Sequence, residues 1–295
     1  MRGGAKGRIL GQDVPTLPHS KTPSYRDLAI AFFDSVAPEY DSWAGGLHAR
    51  VAGRLAELAD PQPGQSVLDV GTGTGLVALQ LGRSVGRRGQ VVGVDLSEKM
   101  LAVARWRSLR NTRLLAMDAD RLVFRDASFD LVTFGDVLGY LDDPLVSLEE
   151  ARRILRPEGR IAISVRRRSL NTEAQEVFYR LLDELIPELP LTIPLSHPDL
   201  ERLGETESIT ELLDTAGFGE PQLMTMVTGA RLEGPASWVG LMRGAGPRPH
   251  ALIGTMGPAL RQQFEHFVGR EMAKLGEDAF HYHEAFTFAT ARAPG

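Results

Sequence analysis

Two short, nearly unbroken apolar runs stand out along the chain: Val67-Leu68-Asp69-Val70 and Val91-Val92-Gly93-Val94. Runs of branched residues without polar alternation predict strands buried on both faces. The same pattern predicts strands at 66–70, 91–94, 112–116, 130–134 and 160–165, with helices between them at 75–82, 97–108 and 144–155. Strands alternating with helices of this length imply a parallel sheet covered on both sides. Ahead of this block, residues 24–36 form an amphipathic helix capped by Ser24, and residues 47–59 a second helix stopped by Pro61 and Gly64. After the fifth strand the pattern changes. A helix is expected at 172–186, then a proline-rich segment through Pro187, Pro190, Pro194 and Pro198, then a helix at 209–216 ended by Gly217. Strands at 222–228 and 284–290 flank a long insertion, about 230–280, with helical stretches at 235–242 and 250–275.

The turn between the first two strands carries the chemistry. Gly71-Thr72-Gly73-Thr74-Gly75 follows the first strand directly, and Asp95 ends the second. Glycines let the backbone turn sharply and approach a ligand closely. An acid at the end of the second strand is placed to accept hydrogen bonds from ribose hydroxyls. A dinucleotide site needs Gly-x-Gly-x-x-Gly; here Leu76 stands where the last glycine belongs. Asp69, inside the first strand, would repel a pyrophosphate and attract an ammonium. The expected ligand is therefore a ribonucleoside bearing a positive amino group, and not NAD.

These residues and four later segments resemble one family. Leu68-Asp69-Val70-Gly71-Thr72-Gly73-Thr74-Gly75 is similar to the glycine-rich first motif of class I S-adenosylmethionine (SAM) methyltransferases. Val94-Asp95-Leu96-Ser97-Glu98-Lys99-Met100, Met117-Asp118-Ala119-Asp120, Phe129 to Asp136 and Leu155-Arg156-Pro157-Glu158-Gly159-Arg160 resemble the next four in order and spacing. The pattern is most similar to that of ubiquinone/menaquinone-biosynthesis and natural-product methyltransferases. The resemblance implies an α/β, Rossmann-like fold: a seven-stranded, mostly parallel sheet with an antiparallel last strand, helices on both faces and a helical substrate lid. It implies SAM as cofactor and S-adenosylhomocysteine as product. It places Asp95 on the ribose, Met100 against the adenine, Leu96 at the cofactor, Asp118 on the adenine amino group and the Ala119 N–H on the ring. Gly71, Thr72, Gly73 and Gly135 fall to the cofactor, Tyr40 to its carboxylate, and Asp69 to its ammonium.

Methyl transfer from a sulfonium has a good leaving group, so orientation can supply much of the catalysis. A base is needed only where the acceptor must lose a proton, and histidine suits that task at neutral pH. The candidates for the catalytic step are His281 and His283, which alternation puts on one face of the last strand, with Asp136 at the end of the fourth strand and His197 in the proline-rich segment. His48 is a weaker candidate. His281 and His283 have an alternative as a solvated strand start; Arg166-Arg167-Arg168, at the same sheet edge after the fifth strand, are expected as a solvated loop, with pairing of one arginine to an anionic substrate as the alternative. No metal site is expected.

The bulk properties narrow the partners. The chain has 295 residues and a net charge of −5, which argues against electrostatic capture of nucleic acid. It has no cysteine, so disulfides and thiolate metal sites are excluded, and a cytoplasmic location is expected. No run has the length of a membrane span. Residues 1–22, rich in Gly, Pro and Arg, are expected to form a disordered tail, and residues 23–295 a single domain with lid segments 23–60, 166–208 and 230–280. Phe178, Leu182, Leu191, Ile193, Trp238, Leu241, Met242, Phe264 and Phe267 in these segments are expected to line a hydrophobic pocket. That suits a small or medium hydrophobic organic substrate from secondary metabolism or quinone-like biosynthesis; a homodimer is compatible with it. Three alternatives stand beside methyl transfer: a nicotinamide oxidoreductase, a methyltransferase-like protein that cyclises a polyketide-like substrate, and a non-enzymatic interaction protein.

Overall fold

The computed structural model describes residues 24–185, 200–219 and 221–295. The expected tail lies outside the described residues, as do Leu191, Ile193 and His197. Two helices lead the chain, α1 (Tyr25–Val36) and α2 (Leu47–Ala59). Ser24 caps α1 in a reciprocal capping box with Asp27. The αβ block follows as β1 (Ser66–Val70), α3 (Leu76–Val85), β2 (Gln90–Asp95), α4 (Glu98–Arg107), β3 (Thr112–Ala116), β4 (Phe129–Gly135), α5 (Pro144–Ile154) and β5 (Leu155–Arg166). Ser97 caps α4 through the Met100 N–H. β5 begins earlier than expected, but its pairing with β4 jumps between Leu155 and Arg160, so the expected turn persists as a bulge.

The remaining elements are α6 (Glu173–Leu185), α7 (Leu200–Leu203), α8 (Thr206–Thr215), β6 (Gln222–Arg231), α9 (Pro235–Arg243), α10 (Pro247–Thr255), α11 (Pro258–Leu275) and β7 (His281–Arg292). The single helical stretch expected at 250–275 is two helices. Pro258 cannot continue a helix from residue 254, and it holds Gly257 extended at φ −63°, ψ 164°.

The seven strands form one sheet in the order β3-β2-β1-β4-β5-β7-β6. β7 alone runs opposite to its neighbours, antiparallel to both β5 and β6. Val67, Leu68, Val70, Val91, Val94, Leu131, Val132 and Phe134 are buried in the central strands. One face of the sheet packs against α2, α3, α6, α9, α10 and α11, the other against α5 and α8. The aromatic residues expected to line a substrate pocket sit in the first of these cores. The Phe178 ring lies 5.6 Å from Phe264 and 6.5 Å from Trp238, and all three are buried with Leu182 and Met242. Their apolar surface closes the lid helices onto the sheet instead of lining the two cavities described below. Among the described residues, no helix is long and apolar enough to cross a membrane.

Candidate active site

The carboxyl ends of β1, β2 and β4 open into a cleft of about 790 Å³, its walls including Gly71, Gly73, Asp95, Leu96, Met100, Ala119, Gly135 and Asp136. α1 covers it with Arg26, Ala29, Ile30 and Phe33. A second cavity, sharing Gly71, Gly73, Gly135 and Asp136 with the first, is lined by Tyr40, His48, Gly71–Thr74 and Ser164. Tyr40 lines both. Ligands of open α/β sheets bind at such an edge.

Gly71 sets the shape of the floor. Its φ is +64°, and a Cβ there would lie 2.4 Å from Val137 Cγ2. Asp95 ties the two halves of the cleft together. One carboxylate oxygen accepts from the Gly73 N–H and the other from the Ser97 N–H, both at 2.8 Å. Burial pushes its pKa up, and the backbone donors pull it back.

Asp69 departs from expectation. Its oxygens accept from Thr72 and Thr133 hydroxyls, each at 2.7 Å, inside the sheet. It lines neither cavity, and burial pushes its pKa up to about 6. A strand side chain one residue before the end of β1 points to a sheet face and not over the edge, which the sequence pattern alone did not reveal. Thr72 lines the second cavity while its hydroxyl serves Asp69. Asp118 is likewise engaged elsewhere. It forms an ion pair with Arg26, which also bonds Asp142 at 3.1 Å, and it is not part of the cleft wall.

His281 and His283 do share a face of β7, their rings 6.4 Å apart. That face belongs to a separate surface groove with Val227–Arg231, away from both cavities, so the structure does not place them at the reacting centre. Their pairing with Arg231 and Gly229 carries β7 beyond the end of β5, which pairs only from Phe286 onward.

Asp136 lines both cavities at φ +53°. Its carboxylate accepts from Arg166 at 3.1 Å. Arg166 is mostly withdrawn from solvent, its side chain 13% exposed, and is not part of a solvated loop. It pairs with Glu284 at 3.3 Å as well, donates to the Ala245 carbonyl at 3.0 Å, and sits 6.0 Å and 5.7 Å from the Trp43 and Phe286 ring centres. Glu284 in turn accepts from the Tyr282 hydroxyl. Burial raises the pKa of Asp136, and Arg166 lowers it. The alternation of β7 that exposes His283 is what buries Glu284, so this partner was available from the sequence once Arg166 was placed.

His48, on α2, is the further residue that periodicity undervalued. Its ring stacks flat on Tyr40 at 3.8 Å and near Trp43 at 5.0 Å, and Nδ1 lies 3.0 Å from the Tyr40 carbonyl. Burial lowers its pKa to about 4, so the imidazole is neutral at pH 7 and Nδ1 donates to that carbonyl.

The "Methyltransferase domain" family profile matches residues 68–163, the segment that holds the glycine turn, Asp95 and Asp136. Over 203 residues, 34% are identical to the nocamycin O-methyltransferase of Saccharothrix syringae, covering 64% of this chain and 71% of that protein. The chain belongs to the class I SAM-dependent methyltransferases. It is an enzyme family with SAM as methyl donor. The ubiquinone/menaquinone biosynthesis C-methyltransferase of Shewanella frigidimarina is 27% identical over 223 residues, covering 69% of this chain and 87% of that one. The fold is also that of the [4+2]-cyclase SpnF, with a TM-score of 0.58 at 21% identity over 95% of this chain and 99% of that chain. The site fits the methyl donor: the wall at Gly71 has no room for a side chain, and one carboxylate, Asp95, faces the cleft from the end of β2.

Proposed function

We propose that this methyltransferase acts on a small or medium hydrophobic organic molecule of secondary-metabolite or quinone-like type. The observation that carries this reading is the cover of the cleft. Ala29, Ile30, Phe33, Tyr40, Val137, Tyr140 and Leu141 make an apolar roof over a wall of backbone and a few carboxylates, which suits an organic ring system better than a charged polymer. The enzyme's relatives named above point the same way. Within the cleft we assign Asp95 to the ribose hydroxyls, Leu96, Met100 and Ala119 to the adenine, and Gly71, Gly73 and Gly135 to close backbone approach. Tyr40 belongs to the aminoacyl end. The segments 23–60, 166–208 and 230–280 then act as the cover of one domain; among the described residues, the first supplies the cover of the two cavities. When bound, SAM supplies an electrophilic methyl; the protein orients the acceptor and excludes water, and Asp136, fixed by Arg166, is the ionisable group nearest the exit of β4.

Calorimetric titration with SAM, S-adenosylhomocysteine and NAD tests the cofactor half. SAM and S-adenosylhomocysteine should bind and NAD should not. Asp95→Ala should weaken binding by roughly 1–3 kcal/mol, the scale of lost hydrogen bonds to a charged group. Unchanged affinity in that variant would remove the ribose assignment. Turnover of a hydroxylated quinone or phenol with release of S-adenosylhomocysteine supports methyl transfer; turnover without that release supports the cyclisation alternative.

A further inference from the structure

Residues 83–113 carry seven arginines and one lysine against two acids, in a chain whose net charge is −5. The fold gathers most of this charge in one place. Asn111, just before β3, donates through Nδ2 to the carbonyls of Gly82 and Gly86 at 2.8 Å and 2.9 Å. A Cβ added to Gly82 would lie 3.1 Å from Leu109 Cδ1. The end of α3, with the turn Gly86–Arg88, is thereby clasped to the segment that joins α4 to β3. Arg83, Arg87 and Arg88 belong to one arm of the clasp, and Arg105, Arg110 and Arg113 to the other. All six are exposed, and none has a hydrogen bond or ion pair to its side chain among the described residues. Arg107 differs, since it pairs with Asp41. Arg83 and Arg105 fall in the last turns of their helices, where a cation complements the helix dipole. The other four lie beyond those turns, where that effect fades.

The same arm carries Trp106, between Arg105 and Arg107 at the end of α4, and its side chain is 94% exposed. The other two tryptophans are withdrawn and hydrogen-bonded. Trp238 is buried and donates to the Ala279 carbonyl at 2.7 Å, and half-buried Trp43 donates to the Leu241 carbonyl at 2.9 Å. The Trp106 N–H has no such partner among the described residues. The clasp sits where β2 and β3 begin. Both strands run parallel to β1 and β4, so this edge of the sheet is opposite the one at which the cleft opens. None of these residues lines the cleft, the second cavity or the groove beside β7.

We propose that this face docks on an anionic phospholipid surface, with Trp106 seated among the headgroups and the exposed arginines on the lipid phosphates. An indole has an apolar body and a polar N–H, and settles at the boundary between membrane and water. A guanidinium matches phosphate geometry, and each basic side chain near such a surface adds to binding. Two rival occupants fit less well. A second copy of the chain, docked two-fold through this face, would set arginines against arginines. A nucleic-acid strand is held along a groove by successive stacked rings; here a single ring projects from a helix end. Docking leaves the cleft open at the far edge, and the proposal stands independently of the methyltransferase reading.

The test uses full-length protein with vesicles of phosphatidylcholine, pure or mixed with an equal part of phosphatidylglycerol, followed by co-sedimentation and tryptophan emission. The protein should sediment with the anionic vesicles and not with the neutral ones, and less so as salt is raised. Emission should shift to the blue and become shielded from acrylamide, and Trp106→Phe should remove that change. Arg87→Gln combined with Arg88→Gln should weaken vesicle binding by roughly tenfold or more, and Arg110→Gln reads the charge of the other arm. These substitutions fall on exposed side chains, so circular dichroism should match that of the wild type. Equal binding to both vesicles, binding to neither, binding indifferent to the arginine variants, or an indole still open to acrylamide on bound vesicles overturns the proposal. So does capture of a single-stranded oligonucleotide, sensitive to the same variants, in place of vesicle binding.

Discussion

His48 gives a stability signal that can be worked out in advance. Its pKa is about 4 in the folded protein, against 6.5 for an unperturbed imidazole, because burial disfavours the charged ring. A depressed histidine is neutral in the native state while the unfolded chain takes up a proton. Stability is therefore fully present above pH 6.5 and is lost as pH falls toward 4. The full difference is about 3 kcal/mol, and about 2 kcal/mol of it falls between pH 7 and pH 5. Asp69 acts in the opposite direction over an overlapping range. Its folded pKa of about 6 lies above its unfolded value, so its contribution is greatest at low pH and declines as pH rises through 6. Wild-type stability alone would show these two slopes partly cancelled. His48→Phe separates them, because it keeps a flat ring between Tyr40 and Trp43 and leaves Asp69 untouched. Losing the bond to the Tyr40 carbonyl lowers stability by about 1–3 kcal/mol at neutral pH. The measurement is urea unfolding of both proteins at pH 7, 6 and 5, followed by circular dichroism. The gap between them should shrink by about 2 kcal/mol between pH 7 and pH 5 as the wild type pays its histidine penalty. A gap that stays constant across that range refutes a neutral, buried His48.

Other consequences are equally direct. Gly71→Ala forces a side chain into a left-handed conformation against Val137, and the combined strain and overpacking should lower stability by about 2–4 kcal/mol and abolish S-adenosylhomocysteine binding; a thermal melt and titration within error of wild type would contradict it. Arg26→Ala releases Asp118 and Asp142, but these groups are partly solvated, so global stability should change by less than about 1 kcal/mol. The local effect should be larger: limited proteolysis should cut within α1 faster in this variant, and an unchanged cleavage pattern would show that the latch holds nothing.

The scaffold was legible because its signals are local. Unbroken valine runs marked the buried strands, Ser24 and Ser97 announced their caps, and the Gly71–Gly75 turn with Asp95 marked the sheet edge where the cleft opens. What escaped the sequence depends on which way side chains point across elements far apart in the chain. Asp69 sits in the glycine motif yet faces Thr133, its in-register neighbour on β4, because it still belongs to the strand and points to a sheet face before the turn begins. Asp118 has the right motif position, but its partner, Arg26, lies on a helix that precedes it by about ninety residues and covers the cleft. The histidines of β7 do share a face, but the opposite face is the one at the site; Glu284, the buried acid next after His283, is the one that reaches Arg166. Arg166 itself looked like part of a solvated run of arginines, and only the convergence of β4, β5 and β7 supplies the carboxylates and rings that bury it.

The place of β7 between β5 and β6 has a consequence for local opening. β6 pairs with β7 along Gln222 to Arg231, and among the described residues β7 is its one ladder partner, so its backbone joins the rest of the sheet through that strand. Hydrogen exchange should therefore be nested: any fluctuation that frees β7 from β5 also frees β6, whereas β6 can fray while β7 stays protected. The slowest amides of β6 cannot outlast those of β7. Because β7 also carries Tyr282 and Glu284, the same opening event unseats Arg166 and, with it, Asp136 at the floor of the cleft. Release of β7 therefore loosens the outer edge of the sheet and the floor of the site together, even though β6 alone can fray first.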